Sequence, residues 1–285
     1  MSSPSLAEQR GAANGVWARL GALDPRYLIS FLITLVLIVG EARYGILGGY
    51  ARLVITLSVC TVTELVLSRL VRGRFVNIQS AYITGISLAL LIKPRADLLW
   101  PFALGSFLAI ASKYVLQVRG QHLWNPSNFA ISLLLVAAPA SVAILSHQWG
   151  NDLATNAVIW FFGLVITTRV GVLHVTLGYV VSFILLAAVR SVILGGPLLT
   201  EIAPLTGPMY QLFVFFMVTD PKTTVSTRRG RIVVAALVAL LEAMIRVAGD
   251  YHVAALSLLY PAPPILALAI VGPVAKWIDG YRRRP

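Results

Sequence analysis

Apolar residues are gathered into ten long runs, and this pattern constrains the fold of the chain more than any other feature. The runs lie at 27–41, 51–69, 78–92, 98–118, 127–146, 154–168, 171–195, 207–219, 231–248 and 252–278. Most of them approach the ~20 residues that a helix needs to cross the hydrocarbon core of a bilayer. Charged residues make up only 12% of the chain, compared with about 25% in soluble domains. Because helices satisfy their own backbone hydrogen bonds in lipid, the pattern predicts an all-α integral membrane protein with ten transmembrane helices.

Two short stretches of the chain repeat one another, which indicates two related halves. Ile83-Thr84-Gly85 opens an apolar run that ends at Lys93-Pro94, and Leu205-Thr206-Gly207 opens another that ends at Asp220-Pro221. Both runs are too short for a comfortable crossing, so we expect short third and eighth helices. Short, Gly/Pro-interrupted segments at matching places in two halves are typical of a binding site between the halves.

Five spans per half is an odd number, so the second half should lie inverted relative to the first. We predict a polar N-terminal tail at 1–26, a first repeat at 27–148, a second repeat at 149–281 and a basic C-terminal end at 282–285. With ten spans and the N-terminus inside, 17 Lys and Arg residues fall on the inner side and 6 on the outer side. This positive-inside bias predicts a bacterial inner-membrane protein with both termini in the cytoplasm. It also explains the net charge of +12 without a nucleic-acid partner.

Candidate ligand-binding residues cluster at predicted helix ends. Asn125-Pro126-Ser127-Asn128 begins the fifth segment, and Thr219-Asp220-Pro221-Lys222-Thr223 follows the eighth. Such ends offer donors and acceptors to a ligand, although an ordinary cap and a cytoplasmic turn explain them equally well. The pairs Thr84-Gly85 and Thr206-Gly207 permit either close approach of the backbone to a ligand or close packing of helices.

Four ionisable residues lie within or at the ends of apolar runs. Glu242 and Arg246 are four residues apart on one helix face, and Glu64 and Lys113 are in different helices that can meet across the bundle. Charges inside a membrane mark proton or ion routes, or else form structural pairs. The four histidines and the single Cys60 have no metal-ligand spacing, so we predict no metal site.

Several motifs, in order, resemble a known family of membrane proteins. They are Ile78–Gly85, Trp124–Asn128, Phe215–Thr223 and the following Arg229-Gly230-Arg231. Over about residues 50–281, the chain resembles the RnfD component of Rnf-type electron transport complexes and the NqrB component of the sodium-pumping NADH:quinone reductase. Glu64 and Lys113 also fall where this family tends to carry those residue types.

The resemblance implies a ten-helix, two-half subunit that holds flavins and passes electrons in the membrane. Family members carry one FMN joined to a threonine in a long external segment between the fifth and sixth helices. Here that segment is short, and its nearest match, Asp152-Leu153-Ala154-Thr155, lacks the preceding Ser-Gly. We therefore expect FMN or riboflavin held without a covalent bond, near the ends of the third, fifth and eighth helices, with Tyr82, Tyr210 and Phe213 against the ring. The chain is similar in this respect to the shorter relatives, including the membrane proteins found with enediyne biosynthesis genes.

The function that the resemblance implies is electron transfer through the bound flavin, in a redox complex whose other subunits supply the electron donor. Movement of an ion coupled to that transfer is a further expectation. The partners are then the lipid bilayer and the other subunits, and we predict no catalytic residue in this chain. Two alternatives stay open from the sequence: an inverted-repeat transporter or channel for a small polar solute, and a scaffold subunit that has lost its cofactor.

Overall fold

Helices form most of the part of the chain that the computed structural model describes, which is residues 25–94, 97–144 and 153–282. Within these residues, four helices are long and apolar enough to cross a membrane: Arg26–Tyr44, Ala51–Arg72, Leu173–Leu194 and Arg228–Asp250. Shorter apolar helices accompany them. The prediction of an all-α membrane protein is therefore confirmed, and the number of ten transmembrane helices stays a prediction. Most of the predicted tail at 1–26, turn at 147–153 and end at 282–285 lies outside the described residues, because 1–24, 145–152 and 283–285 are not among them.

In residues 25–94 and 97–144, the described part of the first half, there are five helices and two small antiparallel strand pairs. The helices are α1 (Pro25–Tyr44), α2 (Ala51–Arg72), α3 (Gln79–Leu91), α4 (Trp100–Val115) and α5 (Pro126–Ala137). Strand β1 (Ile92–Pro94) pairs with β4 (Val142–Ile144), and β2 (Gln117–Val118) pairs with β3 (Gln121–His122). The first pair ties the end of α3 to the chain that follows α5.

The second half begins with α6 (Leu153–Val170) and α7 (Leu173–Leu194). A broken segment follows, consisting of α8 (Leu198–Ile202), a 3₁₀ turn at Ala203–Thr206, α9 (Pro208–Leu212) and a π-helical turn at Phe213–Met217. The half ends with α10 (Arg228–Asp250), a 3₁₀ helix at Ala254–Leu259 and α11 (Pro263–Arg282).

Two predicted segment boundaries are wrong, and proline explains both. The fifth segment was expected to run from 127 to 146, but α5 ends at Ala137, because Ala138 precedes Pro139 and leaves the helical region with φ −137° and ψ 53°. The tenth segment was expected at 252–278, but its helix begins only at Pro263, after a 3₁₀ helix. Prolines are tolerated in the first turn of a helix, and α11 starts at Pro263 and Pro264, although it also contains Pro273 further along.

Helices pack against one another both within and between the two halves. In the first half α2 packs on α4, and α4 on α5; in the second half α7 packs on α10, and α10 on α11. Across the middle of the molecule α1 contacts α6, and α5 contacts α11. Buried apolar side chains from both halves, among them Ile110, Leu134, Tyr179 and Phe213, belong to one core cluster. Large apolar residues on the outside of α7, such as Leu185 and Val192, are exposed, as expected for a lipid-facing helix.

Two glycines mark close contacts between elements. A Cβ atom on Gly85 would lie 3.0 Å from Leu57 Cδ2 and 3.3 Å from the Leu57 Cα. A Cβ atom on Gly163 would lie only 2.6 Å from the Phe215 ring. Gly85 therefore lets α3 approach the backbone of α2, which is the helix-packing alternative for the Thr84-Gly85 pair. Gly163 lets α6 approach the π-helical turn.

Candidate functional site

A cavity of about 810 Å³ lies between the two halves. Its wall is formed by α1, α3, α6, α9, the π-helical turn, the start of α5 and the residues before and at the start of α11. Most of these side chains are apolar or aromatic, and polar groups gather at particular places. This volume and this lining are typical of a site for a small molecule or cofactor.

Most of the predicted ligand-binding residues line this cavity, and they come from both halves. They are Thr84, Asn125, Pro126, Ser127, Gly207, Thr219, Asp220, Pro221 and Lys222. The remaining four predicted residues, Gly85, Asn128, Thr206 and Thr223, are not part of the wall. The fold thus brings together motifs that are separated by more than a hundred residues in the sequence.

The residues outside the wall hold the surrounding structure instead. Asn128 donates from Nδ2 to the backbone oxygen of Ile265 at 2.9 Å, which fixes α5 to α11. The backbone oxygen of Thr206 accepts a hydrogen bond from Asn156 Nδ2 at 2.9 Å. The Thr223 hydroxyl donates to the backbone oxygen of Asp220 at 3.4 Å, within its own turn.

The Asn-Pro and Thr-Asp-Pro motifs contact one another directly. Asn125 Oδ1 accepts the Asn128 backbone N–H at 3.1 Å and so caps α5, while its Nδ2 donates to Asp220 Oδ2 at 3.1 Å. The other oxygen of Asp220 accepts the Lys222 backbone N–H at 3.0 Å. Pro126 occupies the first helical turn, where its missing N–H costs nothing. This contact joins the two halves at one end of the cavity.

His122, in the β2–β3 hairpin, lines the same end of the cavity. Its Nδ1 is 3.1 Å from the backbone oxygen of Lys113. Burial lowers the pKa of His122 from its ordinary value of 6.5, and the charges of Lys113 and Lys222 lower it further. At neutral pH the imidazole is therefore uncharged, and it offers a hydrogen bond to a ligand without adding charge.

A buried carboxylate in the first half is held by two side chains of α4, and we refer to Glu64, Lys113, Tyr114 and Ser80 as the Glu64 cluster. Lys113 Nζ lies 2.8 Å from Glu64 Oε2, and the Tyr114 hydroxyl donates to Glu64 Oε1 at 2.8 Å. Lys113 also donates to Ser80 Oγ at 3.1 Å. Glu64 is 5% exposed and Lys113 is 3% exposed, so the predicted partners meet inside the bundle. The cluster reaches the cavity wall through Ser80.

A second buried carboxylate lies in the second half, and we refer to Glu242, Arg246, Tyr179 and Tyr210 as the Glu242 cluster. Glu242, which is fully buried, accepts from Arg246 Nε at 2.9 Å and from the Tyr210 hydroxyl at 2.6 Å, both on Oε1. The Tyr179 hydroxyl donates to Glu242 Oε2 and lies 2.7 Å from the Tyr210 hydroxyl. Tyr210 and Arg246 both line the cavity. Tyr179 was missed from the sequence, because a single tyrosine within an apolar helix gives no signal of its partners.

Aromatic side chains of the broken segment form one side of the cavity. Tyr210 and Phe213 line it, together with Phe215 and Phe216. The expectation for Tyr82 is wrong: its hydroxyl is 2.7 Å from Thr34 Oγ1, so it joins α3 to α1 away from the wall. The π-helical turn contains three of these rings, and such turns occur frequently at functional sites.

The fold and the cavity define a multi-pass α-helical membrane protein with a site large enough for a cofactor. Residues 154–259 of this chain match the NQR2, RnfD, RnfE family. The resemblance to RnfD and its relatives is thereby confirmed over this range, which includes the Thr-Asp-Pro motif and Glu242. A comparison with curated proteins gives no match.

Proposed function

We propose that this protein is a flavin-carrying membrane subunit of an electron transport complex. The match of residues 154–259 to the NQR2, RnfD, RnfE family supports a membrane subunit of an electron transport or ion-pumping complex. The observation that carries the proposal further is the cavity of about 810 Å³, because it collects nine of the predicted ligand-binding residues from both halves.

The side chains of the wall fit the chemistry of a flavin. Tyr210, Phe213 and Phe216 offer apolar faces to the isoalloxazine ring, and Asn125 and Ser127 offer hydrogen-bonding groups to its polar edge. Lys222 at the wall supplies a cation for a phosphate group if the ligand is FMN. A bound flavin exchanges electrons one or two at a time, which suits a subunit that links different carriers.

The flavin is held without a covalent bond in this proposal. The attachment motif of the family is missing between α5 and α6, where the nearest match is Asp152-Leu153-Ala154-Thr155. All binding then depends on the cavity wall. A purified sample should therefore contain a flavin that is released on denaturation.

The two halves form an inverted repeat in this account. The corresponding packing of α2 on α4 and α7 on α10 supports it, as do the contacts of α1 with α6 and α5 with α11. The Glu64–Lys113 pair lies on α2 and α4, and the Glu242 carboxylate and its Tyr179 partner lie on α10 and α7, the corresponding helices. The charge bias favours a cytoplasmic position for both termini and the 222–231 loop.

Cysteine labelling tests this orientation. Cys60 is first replaced, and Ser226→Cys then provides a single thiol in the 222–231 loop. We expect an impermeant maleimide to label position 226 in inverted membrane vesicles and not in intact cells. Labelling in intact cells would contradict the topology.

Flavin binding is tested with a matched pair of phenylalanine variants. Phe216 lines the cavity, whereas Phe161 is on α6 and 63% exposed. Phe216→Ala should weaken FMN binding about fivefold, since a ring contact contributes roughly 1 kcal/mol, and Phe161→Ala should leave it unchanged. If the wild-type protein is colourless and takes up neither FMN nor riboflavin, the proposal fails. Uptake of a small polar solute by proteoliposomes would then support the transporter alternative.

A further inference from the structure

The Glu242 cluster joins a fully buried carboxylate to the wall of the cavity through a titratable hydroxyl. Glu242 and Tyr179 are each 0% exposed, whereas Tyr210 and Arg246 line the cavity. The two tyrosine hydroxyls lie 2.7 Å apart, and both donate to the same carboxylate. A chain of hydrogen bonds therefore runs from the cavity to Glu242, with Tyr210 as its first member.

We propose that the Tyr210 hydroxyl and the Glu242 carboxylate form a proton-exchange site for the ligand of the cavity. This inference rests on the proposal that the ligand is a flavin, and it assigns a second role to Tyr210, through its hydroxyl, and a role to Glu242 behind the wall. Arg246 Nη2 lies 2.8 Å from Glu242 Oε1, and both carboxylate oxygens accept a tyrosine hydroxyl, so the carboxylate is placed as the proton acceptor at the end of the chain.

The proton step balances when the reduced flavin is oxidised. The anionic reduced flavin gives up two electrons and one proton on oxidation, so one N–H bond breaks and its proton passes to the Tyr210 oxygen. The proton that Tyr210 held passes at the same time along the 2.6 Å hydrogen bond to Glu242 Oε1. The electrons leave singly to a one-electron acceptor, the class of carrier that another subunit of an electron transport complex provides. Tyr210 ends the step neutral, and Glu242 ends it protonated.

Charged and polar side chains from three neighbouring elements surround Glu242. Arg246 is on the same helix, and its side chain is 21% exposed, so it keeps some hydration when Glu242 becomes neutral. Arg190 on α7 forms an ion pair with Glu201 on α8 and interacts electrostatically with Glu242, Arg246 and Asp250. From the segment before α11, Tyr260 donates its hydroxyl to the backbone oxygen of Ala248.

The Glu64 cluster lacks this connection to the cavity. It reaches the wall through Ser80, an aliphatic hydroxyl that accepts from Lys113. Ser80 bonds to the Lys113 ammonium, so the path from the wall to the Glu64 carboxylate passes through a cation that has no lone pair to accept a proton. Proton exchange with the ligand is therefore assigned to the Glu242 cluster alone.

Tyr210 and Tyr179 provide a matched pair for the test. Each substitution with Phe removes one hydroxyl bonded to Glu242, but only Tyr210 is part of the wall. The full-length protein is loaded with FMN, reduced with dithionite and reoxidised with ferricyanide in a stopped-flow instrument, in H₂O and in D₂O. Bound FMN and the melting temperature are measured for each variant to verify folding and loading.

We expect wild-type reoxidation to show a solvent isotope effect. Tyr210→Phe should slow reoxidation at least tenfold, and Tyr179→Phe should change the rate by less than about twofold. Equal slowing by both substitutions, or none by either, would overturn the inference and assign the cluster a structural role. A wild-type rate without any isotope effect would overturn it regardless of the variants. Failure of wild-type protein to bind FMN would instead refute the proposed function.

Discussion

The Glu64 and Glu242 clusters both stabilise a buried carboxylate, but the stabilising cation comes from a different place in each. Each holds a buried carboxylate between a cation and at least one tyrosine hydroxyl. Glu64 takes its cation from another helix, since Lys113 is on α4 and Glu64 on α2. Glu242 takes its cation from its own helix, because Arg246 lies one turn further along α10. The Glu64–Lys113 pair therefore joins two helices. The Glu242–Arg246 pair lies on a single helix, and Arg246 and Tyr210 of its cluster line the cavity.

This difference indicates a division of roles between the halves. Removing the cation of a buried pair leaves an uncompensated charge, which is strongly destabilising unless other donors remain. Glu64 has one tyrosine donor, and Glu242 has two. The first cluster should thus contribute mainly to stability and the second mainly to chemistry at the cavity.

The largest effect expected from this comparison is the loss of stability in Lys113→Met. Methionine replaces the apolar part of the lysine side chain, but it leaves the carboxylate of Glu64 without its cation, and Glu64 is only 5% exposed. We expect a loss of ~3–5 kcal/mol in the free energy of unfolding, measured by chemical denaturation in detergent.

A double-mutant cycle tests whether this loss comes from the pair. Glu64→Gln combined with Lys113→Met should recover part of the stability, because the glutamine is neutral. Strictly additive losses would show that the two side chains do not stabilise each other, and the contrast between the clusters would fail.

Arg246→Met should have a smaller effect on stability than Lys113→Met. Glu242 keeps the hydroxyls of Tyr179 and Tyr210 when the guanidinium is removed. We expect a loss of about 2 kcal/mol, the scale of one hydrogen bond to a charged group. A loss equal to that of Lys113→Met, in the same denaturation experiment, would mean that the tyrosines do not compensate.

A third contrast concerns how tightly the cavity wall of the second half is packed. Gly163→Ala would force Phe215 to move, since the new Cβ would lie 2.6 Å from its ring. Overpacking costs about 1–3 kcal/mol, partly offset by the better helix propensity of Ala, so we expect a net loss of about 1 kcal/mol. FMN binding should weaken as well, because Phe215 is part of the wall.

Gly272→Ala on α11 is the matched control for this substitution. Its Cβ would meet Leu268 Cδ1 at 3.5 Å, an ordinary contact. We expect unchanged FMN binding and equal or slightly higher stability. If the two alanine variants have the same stability and the same affinity for FMN, Phe215 can move to make room for the new methyl group without destabilising the protein.

The smallest expected effect is a dependence of stability on pH, which we attribute to His122 at the end of the cavity near the Glu64 cluster. The folded protein holds the pKa of His122 below 6.5, so the unfolded chain binds a proton more readily. Stability should be full above pH 6.5 and decline as the pH falls below it. His122→Gln should remove the part of the decline in melting temperature that His122 causes. If the melting temperature of the variant falls with pH as steeply as that of the wild type, His122 is not its cause.

The helices and the meeting of distant motifs could be predicted from sequence, since both depend on local signals. Apolar runs mark helices in lipid, and the Asn-Pro and Thr-Asp-Pro motifs indicate capped helix ends that face protein. The spacing of Glu242 and Arg246 likewise gives their pairing directly.

Features that depend on tertiary packing could not be predicted in this way. Gly85 resembled a ligand contact in sequence, but the position of Leu57 on α2 decides its role. Tyr82 faces Thr34 and not the cavity, because α3 packs on α1. The Tyr179–Tyr210 contact joins α7 to the broken segment, and neither tyrosine carries a local signal of the other.

The central claim, a flavin held without a covalent bond in the cavity between the halves, has one direct test. The protein is purified under mild conditions, its visible spectrum is recorded, and it is then denatured and separated from small molecules before intact mass analysis. We predict a yellow protein that releases all its colour, and a polypeptide whose mass equals that of the sequence apart from N-terminal processing. A mass increment of one FMN phosphoester at Thr155 would contradict the non-covalent claim, and a colourless protein that cannot be reconstituted with FMN or riboflavin would contradict the flavin itself.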